Sequence, residues 1–357
     1  MKKKWRVAGI NFDHMHMGDL LRMVHVHPDA EIAGICDEDP ARMRGVIRNF
    51  GISNERVFAN VEQCLETTRP DLVVLCPATA RHAEYVERVA PFGAHVLVEK
   101  PFASSVRDAD RMIAAARKHK ATLAINWPLR WVASHSHTYA LLNQGRIGEL
   151  LEVHFYDGNR GPLWHAADKV ETTPTQAMKR KSWFYKKAQG GGSLLDYLGY
   201  GTTLGTWFHH GRKPIDVTCT IHRPRGLEVD EQSVTVARYA SGLTSYQTRW
   251  GTFTDPWKQQ PQPKCGFVLC GTEGTISSYD YEPTIRVQSR RHPEGQLLRV
   301  PELKPPFQNP IQYLIHCISN DTKPEGPLST GISRIGQQIV DSAVLSAETG
   351  KTVKLVD

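Results

Sequence analysis

The chain has 357 residues, 40% of them hydrophobic and 23% charged, the make-up of an ordinary globular protein of about two domains. No apolar run approaches the ~18 residues of a membrane span, and the Lys2-Lys3-Lys4 start leads into a short strand-like run broken by Asn11, Asp13, His14 and His16 with no cleavage site after it. A membrane partner is therefore not expected, and a cytoplasmic location is. The net charge of +7 is scattered over Lys179–Lys181, Lys186-Lys187 and Arg290-Arg291, so no nucleic-acid partner is expected either.

Strands are predicted over residues 5–10, 31–36, 72–76, 95–98 and 122–125, alternating with helices over 18–26, 40–49, 61–67, 81–92 and 106–119. Asp39-Pro40 supplies a cap with proline in the first turn, and Ser104-Ser105 precede the last of these helices. Such alternation predicts right-handed βαβ units and a parallel sheet covered on both faces, ending near residue 127. A helix over 133–143, a strand over 150–156 and a polar loop with tryptophans over 158–189 follow. "GGGSLLDYLGYGTTLGTWF" then opens a helix, and residues 214–300 are β-rich, with strands at 216–222, 233–239, 244–250 and 266–269. Helices over 310–319 and 332–348 close a second, α+β domain of mostly antiparallel strands, residues 128–357. Seven cysteines without a Cys-x-x-Cys pair argue against a disulfide framework or a zinc knuckle.

The chemistry starts at "VAGINFDHMHMGDLL", residues 7–21. A turn between a first strand and a first helix holds pyrophosphate through free backbone N–H groups and the helix dipole. Aligned on G-x-G-x-x-G, this one supplies Gly9, then Asn11 and His14, with Phe12 between them. Asn11 tolerates positive φ and can still make the turn, whereas His14 is bulky and would crowd or contact the dinucleotide. Asp37 ends the second predicted strand, where the fingerprint places a carboxylate for the adenosine ribose, roughly 20 residues beyond the loop. That favours NAD over NADP; Arg42 in the next turn leaves NADP open, and capping of the following helix is the competing role for Asp37.

"CPATARH" (76–82) and "VLVEKPFA" (96–103) both follow apolar strands, at the carboxyl edge of the sheet where ligands bind. Lys100 there would polarise a substrate hydroxyl or shift a neighbouring acid. On the "GGGSLLDYLGYG" helix, Asp196 and Tyr200 share one face at i,i+4.

Together with "INWPLRW", "QGRIGELLEV", "GTEGTI" and "SAETGKTVKL", these motifs make the sequence resemble the Gfo/Idh/MocA oxidoreductases from about residue 5 to 356. The resemblance implies an N-terminal Rossmann domain and a C-terminal α/β domain whose open sheet mediates a homodimer or homotetramer. It implies hydride exchange between NAD(P) and a sugar, polyol or related alcohol. It makes Lys100 the catalytic and nicotinamide-ordering lysine, with Glu99 and Pro101 completing the motif. His82 falls near the nicotinamide side, Pro77 and Asn126 count among the cofactor-binding residues, and Asn126 lies near the domain junction. The family most often has His four residues after the Asp matched by Asp196; Tyr200 stands there, as in a sugar-oxidising subset. Lys100 would then bring the Tyr200 phenol towards neutrality and let it take the alcohol proton, with Tyr197 the competing candidate. Among the tryptophans, Trp183 is the preferred sugar-stacking residue, ahead of Trp127, Trp131 and Trp164; Arg130 is read as structural.

Three other readings remain. Transient oxidation by NAD could cleave a glycoside; a non-catalytic sensor could keep the fold but would be expected to lose Lys100. A metal hydrolase could use His14-x-His16, although it needs an eight-fold barrel and further ligands on later strands, and no metal is expected.

Overall fold

The computed structural model describes residues 4–164 and 171–357. Lys2, Lys3 and residues 165–170 of the polar loop lie outside the described residues.

The first unit alternates as its apolar periodicity dictates: β1 (Trp5–Ile10), α1 (His16–His25), β2 (Ala30–Cys36), α2 (Arg44–Phe50), β3 (Val57–Phe58), α3 (Val61–Thr68), β4 (Leu72–Leu75), α4 (His82–Val89), β5 (His95–Glu99), α5 (Val106–Lys118) and β6 (Leu123–Asn126). The sheet is parallel in the order β3-β2-β1-β4-β5-β6, the doubly wound Rossmann arrangement. Its strands are buried on both faces, so they read as continuous apolar runs. The two-residue β3 was not predicted: it is too short to leave a period. Asp39 accepts from Ala41 N at 3.0 Å and Ser105 from Asp108 N at 3.1 Å, the caps expected. Helix α1 begins two residues earlier than its pattern suggests, because the His14 imidazole accepts the His16 N–H at 3.2 Å and satisfies a first-turn donor.

The second unit adds α6 (Ala133–Asn143), β7 (Leu150–Asn159), α7 (Gln176–Lys181), α8 (Ser193–Phe208), β8 (Asp216–His222), β9 (Gln232–Arg238), β10 (Leu243–Trp250), β11 (Gly266–Gly271), β12 (Gly274–Tyr279), β13 (Thr284–Ser289), β14 (His292–Arg299), α9 (Pro310–Ser319), α10 (Thr330–Thr349) and β15 (Val353–Lys354). Nine strands form one open sheet, β14-β13-β12-β11-β7-β10-β9-β8-β15, antiparallel except where β7 meets β10. Strands β12 to β15 went unpredicted, since their outward positions are charged or polar and their apolar residues are few.

Strand β7 runs three residues past its predicted end. Val153, Phe155, Asp157 and Asn159 keep the period of two and all face inward. The chain also returns to the first unit: Ile311, Leu314 and Ile315 of α9 share an apolar core with Val7, Met17, Leu20 and Leu21. Helix α8 packs on β7, β9 and β10 of the second sheet, and Asp196 in its first turn meets Lys100 just past β5, which brings polar residues of the two units together.

Candidate active site

Two hollows flank the turn after β1. One is a cleft of about 660 Å³ lined by Asn11, Asp13, Asp37, Arg42, Ala78 and Arg81, closed on its far side by Lys181, Trp183 and Lys186. The other is a cavity of about 130 Å³ between the units, lined by His14, Lys100, Asp157, Asp196, Tyr197 and Tyr200 among others.

In the cleft, Asn11 has φ +65° and makes the turn predicted for it. Its amide donates to the Tyr85 hydroxyl at 3.1 Å and its oxygen accepts from Asp13 N at 2.8 Å. Gly9 is a glycine for packing: a Cβ would stand 3.0 Å from Met17 Sδ and 3.1 Å from Leu21. Asp37 accepts from Phe12 N at 2.6 Å and Asp39 N at 2.8 Å, and it is Asp39 that caps the following turn. Burial raises the Asp37 carboxyl above its usual range against these bonds. Arg42 is engaged by Asp13 and stands 3.8 Å from Asp37. A carboxylate beside a rim of Arg81, Lys181 and Lys186 offers a ribose acceptor and phosphate-binding cations in one cleft, so these residues fit a dinucleotide.

The histidines of the turn point the other way. His14 is 3% exposed, packs edge-on against Phe184 at 5.4 Å and lines the cavity; burial, then the charges of His16, Lys100 and His82, hold its pKa well below the ordinary value. His16 Nδ1 lies 2.7 Å from Glu99 Oε1, and Asn126 donates to Glu99 Oε2 at 2.7 Å. Burial opposes ionisation of Glu99, but His16, Lys100 and Asn126 keep it below the ordinary carboxyl range. His14, His16 and Glu99 bring ligand atoms within 4.8 Å of one another. They nevertheless form a hydrogen-bonded set in which both Glu99 oxygens are partnered, and the parallel sheet is not the barrel that a His-x-His hydrolase requires. His82 is fully enclosed, its Nδ1 and Nε2 each 3.1 Å from a carbonyl oxygen, those of Phe102 and Pro77; burial lowers its pKa although both contacts oppose this.

On the cavity floor, Lys100 Nζ donates to Asp196 Oδ1 at 2.6 Å, both side chains 2% exposed. The ammonium lies 5.2 Å from the Tyr200 ring centroid and 5.3 Å from that of Tyr197. Tyr197 is held by a hydrogen bond from Asn159, whereas the Tyr200 hydroxyl has no partner among the described residues. The expectation that Lys100 lowers the Tyr200 phenol is reversed. Burial, then Glu99, Tyr197, Asp196 and Asp157, push it well above 10, and the lysine's charge is already committed to Asp196.

The tryptophans need correction as well. Trp183 lines the cleft and not the cavity; its indole N–H donates to Asp13 O at 3.0 Å, and its neighbour Phe184 faces the cavity. Trp127 is core, donating to Ser333 at 2.8 Å, and Trp131 and Trp164 pack against Tyr313 and Arg160. The glycines before α8 serve this turn: a Cβ on Gly191 would meet Phe184 O at 2.3 Å. Sequence reasoning missed Asp157, Trp257 and Asp280, which also line the cavity. The inward period of β7 was the available signal for Asp157.

A Rossmann cleft opening beside a buried lysine–aspartate pair defines a nicotinamide-dependent oxidoreductase. The family model described as "Oxidoreductase family, NAD-binding Rossmann fold" matches residues 3–127, and that of the GFO/IDH/MocA C-terminal domain matches residues 135–277. The chain belongs to this oxidoreductase family, and its first unit is an NAD-binding Rossmann domain. It is 31% identical over 341 residues to D-apiose dehydrogenase of Paraburkholderia graminis, covering 91% of this chain and 83% of that one. Its fold matches aldose-aldose oxidoreductase from Caulobacter crescentus complexed with glycerol (TM-score 0.80, 20% identity, 99% and 100% of the two chains). It also matches an oxidoreductase from Agrobacterium radiobacter in complex with NAD+, L-tartaric acid and magnesium (TM-score 0.78, 19% identity, 99% of each).

Proposed function

We propose that the protein is an NAD-preferring dehydrogenase or reductase acting on a CH–OH carbon of a sugar or polyol, with residues 1–127 as the cofactor domain and 128–357 as the substrate and oligomerisation domain of a cytoplasmic homodimer or homotetramer. The observation that carries this reading is the 2.6 Å Lys100–Asp196 pair beside a Tyr200 hydroxyl without a partner among the described residues, next to an NAD-binding unit. D-apiose dehydrogenase, a relative along nearly the whole chain, acts on a sugar by its name.

Asp37 and Asn11 would hold the adenosine end of the dinucleotide, with Gly9, Phe12 and His14 shaping the turn; Pro77, His82, Glu99, Lys100 and Asn126 would order the nicotinamide end. The Asp37 carboxyl at the ribose end favours NAD over NADP, whose 2′-phosphate it would repel, while Arg42 beside it is engaged by Asp13. When bound, the cofactor supplies or accepts the hydride. The chain's own part is the proton. In the reducing direction Tyr200, held in its protonated form by burial and the surrounding acids, donates its phenolic proton to the substrate carbonyl oxygen, and the Lys100 ammonium polarises that carbonyl. In the oxidising direction the Tyr200 phenolate takes the alcohol proton, at a cost set by the raised Tyr200 pKa. Asp196 fixes the Lys100 ammonium in position between the two tyrosines.

The test is NADH formation by the purified protein from NAD⁺ with a panel of sugars, inositols and sugar acids. Turnover with at least one, lost in Tyr200→Phe and Lys100→Met, is the expected result; turnover at wild-type level in either variant contradicts the assignment.

A further inference from the structure

The cavity that holds the Lys100–Asp196 pair is rich in acids and poor in cations. Three of the described residues lining it are carboxyls, Asp157, Asp196 and Asp280; one, Lys100, is a permanent cation, and no arginine lines it. Asp196 takes the lysine at 2.6 Å. Asp280, just beyond β12, takes His135 of α6, whose Nε2 lies 2.6 Å from Oδ1 and whose Nδ1 lies 2.8 Å from the Ser278 hydroxyl. Asp157 is left over. It is 7% exposed on central strand β7, flanked by β10 and β11, and has no hydrogen-bond partner among the described residues. A buried polar group without a partner is costly, and such groups are satisfied by a ligand when they line its cavity.

We propose that the ring entering this cavity is a neutral, hydroxylated one, bearing neither carboxylate nor phosphate, and that Asp157 selects it by hydrogen bonding to a ring hydroxyl. This rests on the sugar-oxidoreductase reading above. Asp157 faces Asp280 beyond β12, Asp196 and Tyr197 on α8, and Lys100 beyond β5. Burial, then Asp280, push its carboxyl well above the usual range, with Asp196 adding to this and Lys100 opposing it. A carboxyl presents acceptor oxygens, and an O–H donor as well when it holds its proton, so in either state it can hydrogen-bond a ring hydroxyl that both donates and accepts. An anionic substituent would instead meet Asp196 and Asp280, and among the described lining residues the one permanent cation, Lys100, is already paired with Asp196.

Ligand binding to the NADH-loaded protein, followed by nicotinamide fluorescence, tests this without requiring turnover. The probes are D-xylose, D-glucose and myo-inositol against D-glucuronate, D-galacturonate and D-glucose 6-phosphate. A neutral ligand should bind at least about 10-fold tighter than the acidic ones. Asp157→Ala should weaken the neutral ligand about 10–100-fold, and Asp157→Asn, which keeps shape, donor and acceptor, should weaken it less, both with NADH affinity unchanged. An acidic probe binding as tightly as the best neutral one overturns the inference and leaves the sugar reading standing, as does an unchanged neutral affinity in Asp157→Ala. Binding of no probe in either class overturns both.

Discussion

The two hollows beside the first turn are built on opposite principles. In the nucleotide cleft the polar groups are already partnered within the chain: Asp37 by Phe12 and Asp39, Asn11 by Tyr85 and Asp13, Asp13 by Ala78 and Arg42. In the cavity, Tyr200 and Asp157 have no partner among the described residues, although both are buried. A site whose groups satisfy one another is held in shape before its ligand arrives. A site with unsatisfied groups keeps hydrogen-bonding capacity for the molecule on which chemistry is done. The turn that replaces two glycines by Asn11 and His14 sits at the border. Its asparagine serves the cleft and its first histidine lines the cavity.

Changes on the cavity side should therefore strike turnover, and changes on the cleft side cofactor affinity. Lys100→Met should have the largest effect, a fall in kcat of about 10³–10⁴-fold with NADH affinity kept within a few-fold, because it removes the charge that stabilises the reacting oxygen and leaves Asp196 buried and unpaired; fluorescence titration and steady-state kinetics separate the two. Tyr200→Phe follows at about 10²–10³-fold in kcat, again with unchanged NADH affinity. The pH profile sharpens the assignment. Since the Tyr200 pKa lies above 10, oxidation should accelerate with rising pH, about 10-fold per unit, as the small phenolate fraction grows, and Tyr200→Phe should flatten this slope. Asp37→Ala crosses to the cleft. It should raise the Kd for NAD about 10-fold through the lost ribose acceptor and the two loosened backbone bonds, narrow the preference over NADP, and spare kcat at saturating cofactor. His14→Gly is the smallest: restoring glycine should alter NAD affinity less than about 3-fold and act mainly on substrate KM, because the imidazole packs against Phe184 on the cavity side. A large loss of NAD affinity there would erase the distinction between the two sides.

The Rossmann unit was legible in the sequence because parallel strands buried on both faces read as unbroken apolar runs with caps between them. The places of Asn11, Asp37, Lys100 and Asp196 were legible because strand ends and helix register fix where those residues stand. Trp183 misled, since residue type alone does not say on which side of a turn an indole projects; it donates to Asp13 O at the cleft. The Tyr200 pKa misled as well. One cation nearby was visible in sequence, but the burial and the acids from β5, β7 and α8 that outweigh it converge only in three dimensions. Asp157 was passed over because a carboxylate on a predicted strand reads as its end, whereas β7 continues to Asn159.

The most direct measurement of the central claim is the rate of a single turnover from preformed enzyme–NADH complex, set beside the NADH Kd of the same protein, in wild type and Tyr200→Phe. The account predicts equal Kd values and a turnover at least about 100-fold slower in the variant. Equal single-turnover rates, or a loss explained entirely by weaker NADH binding, would contradict it.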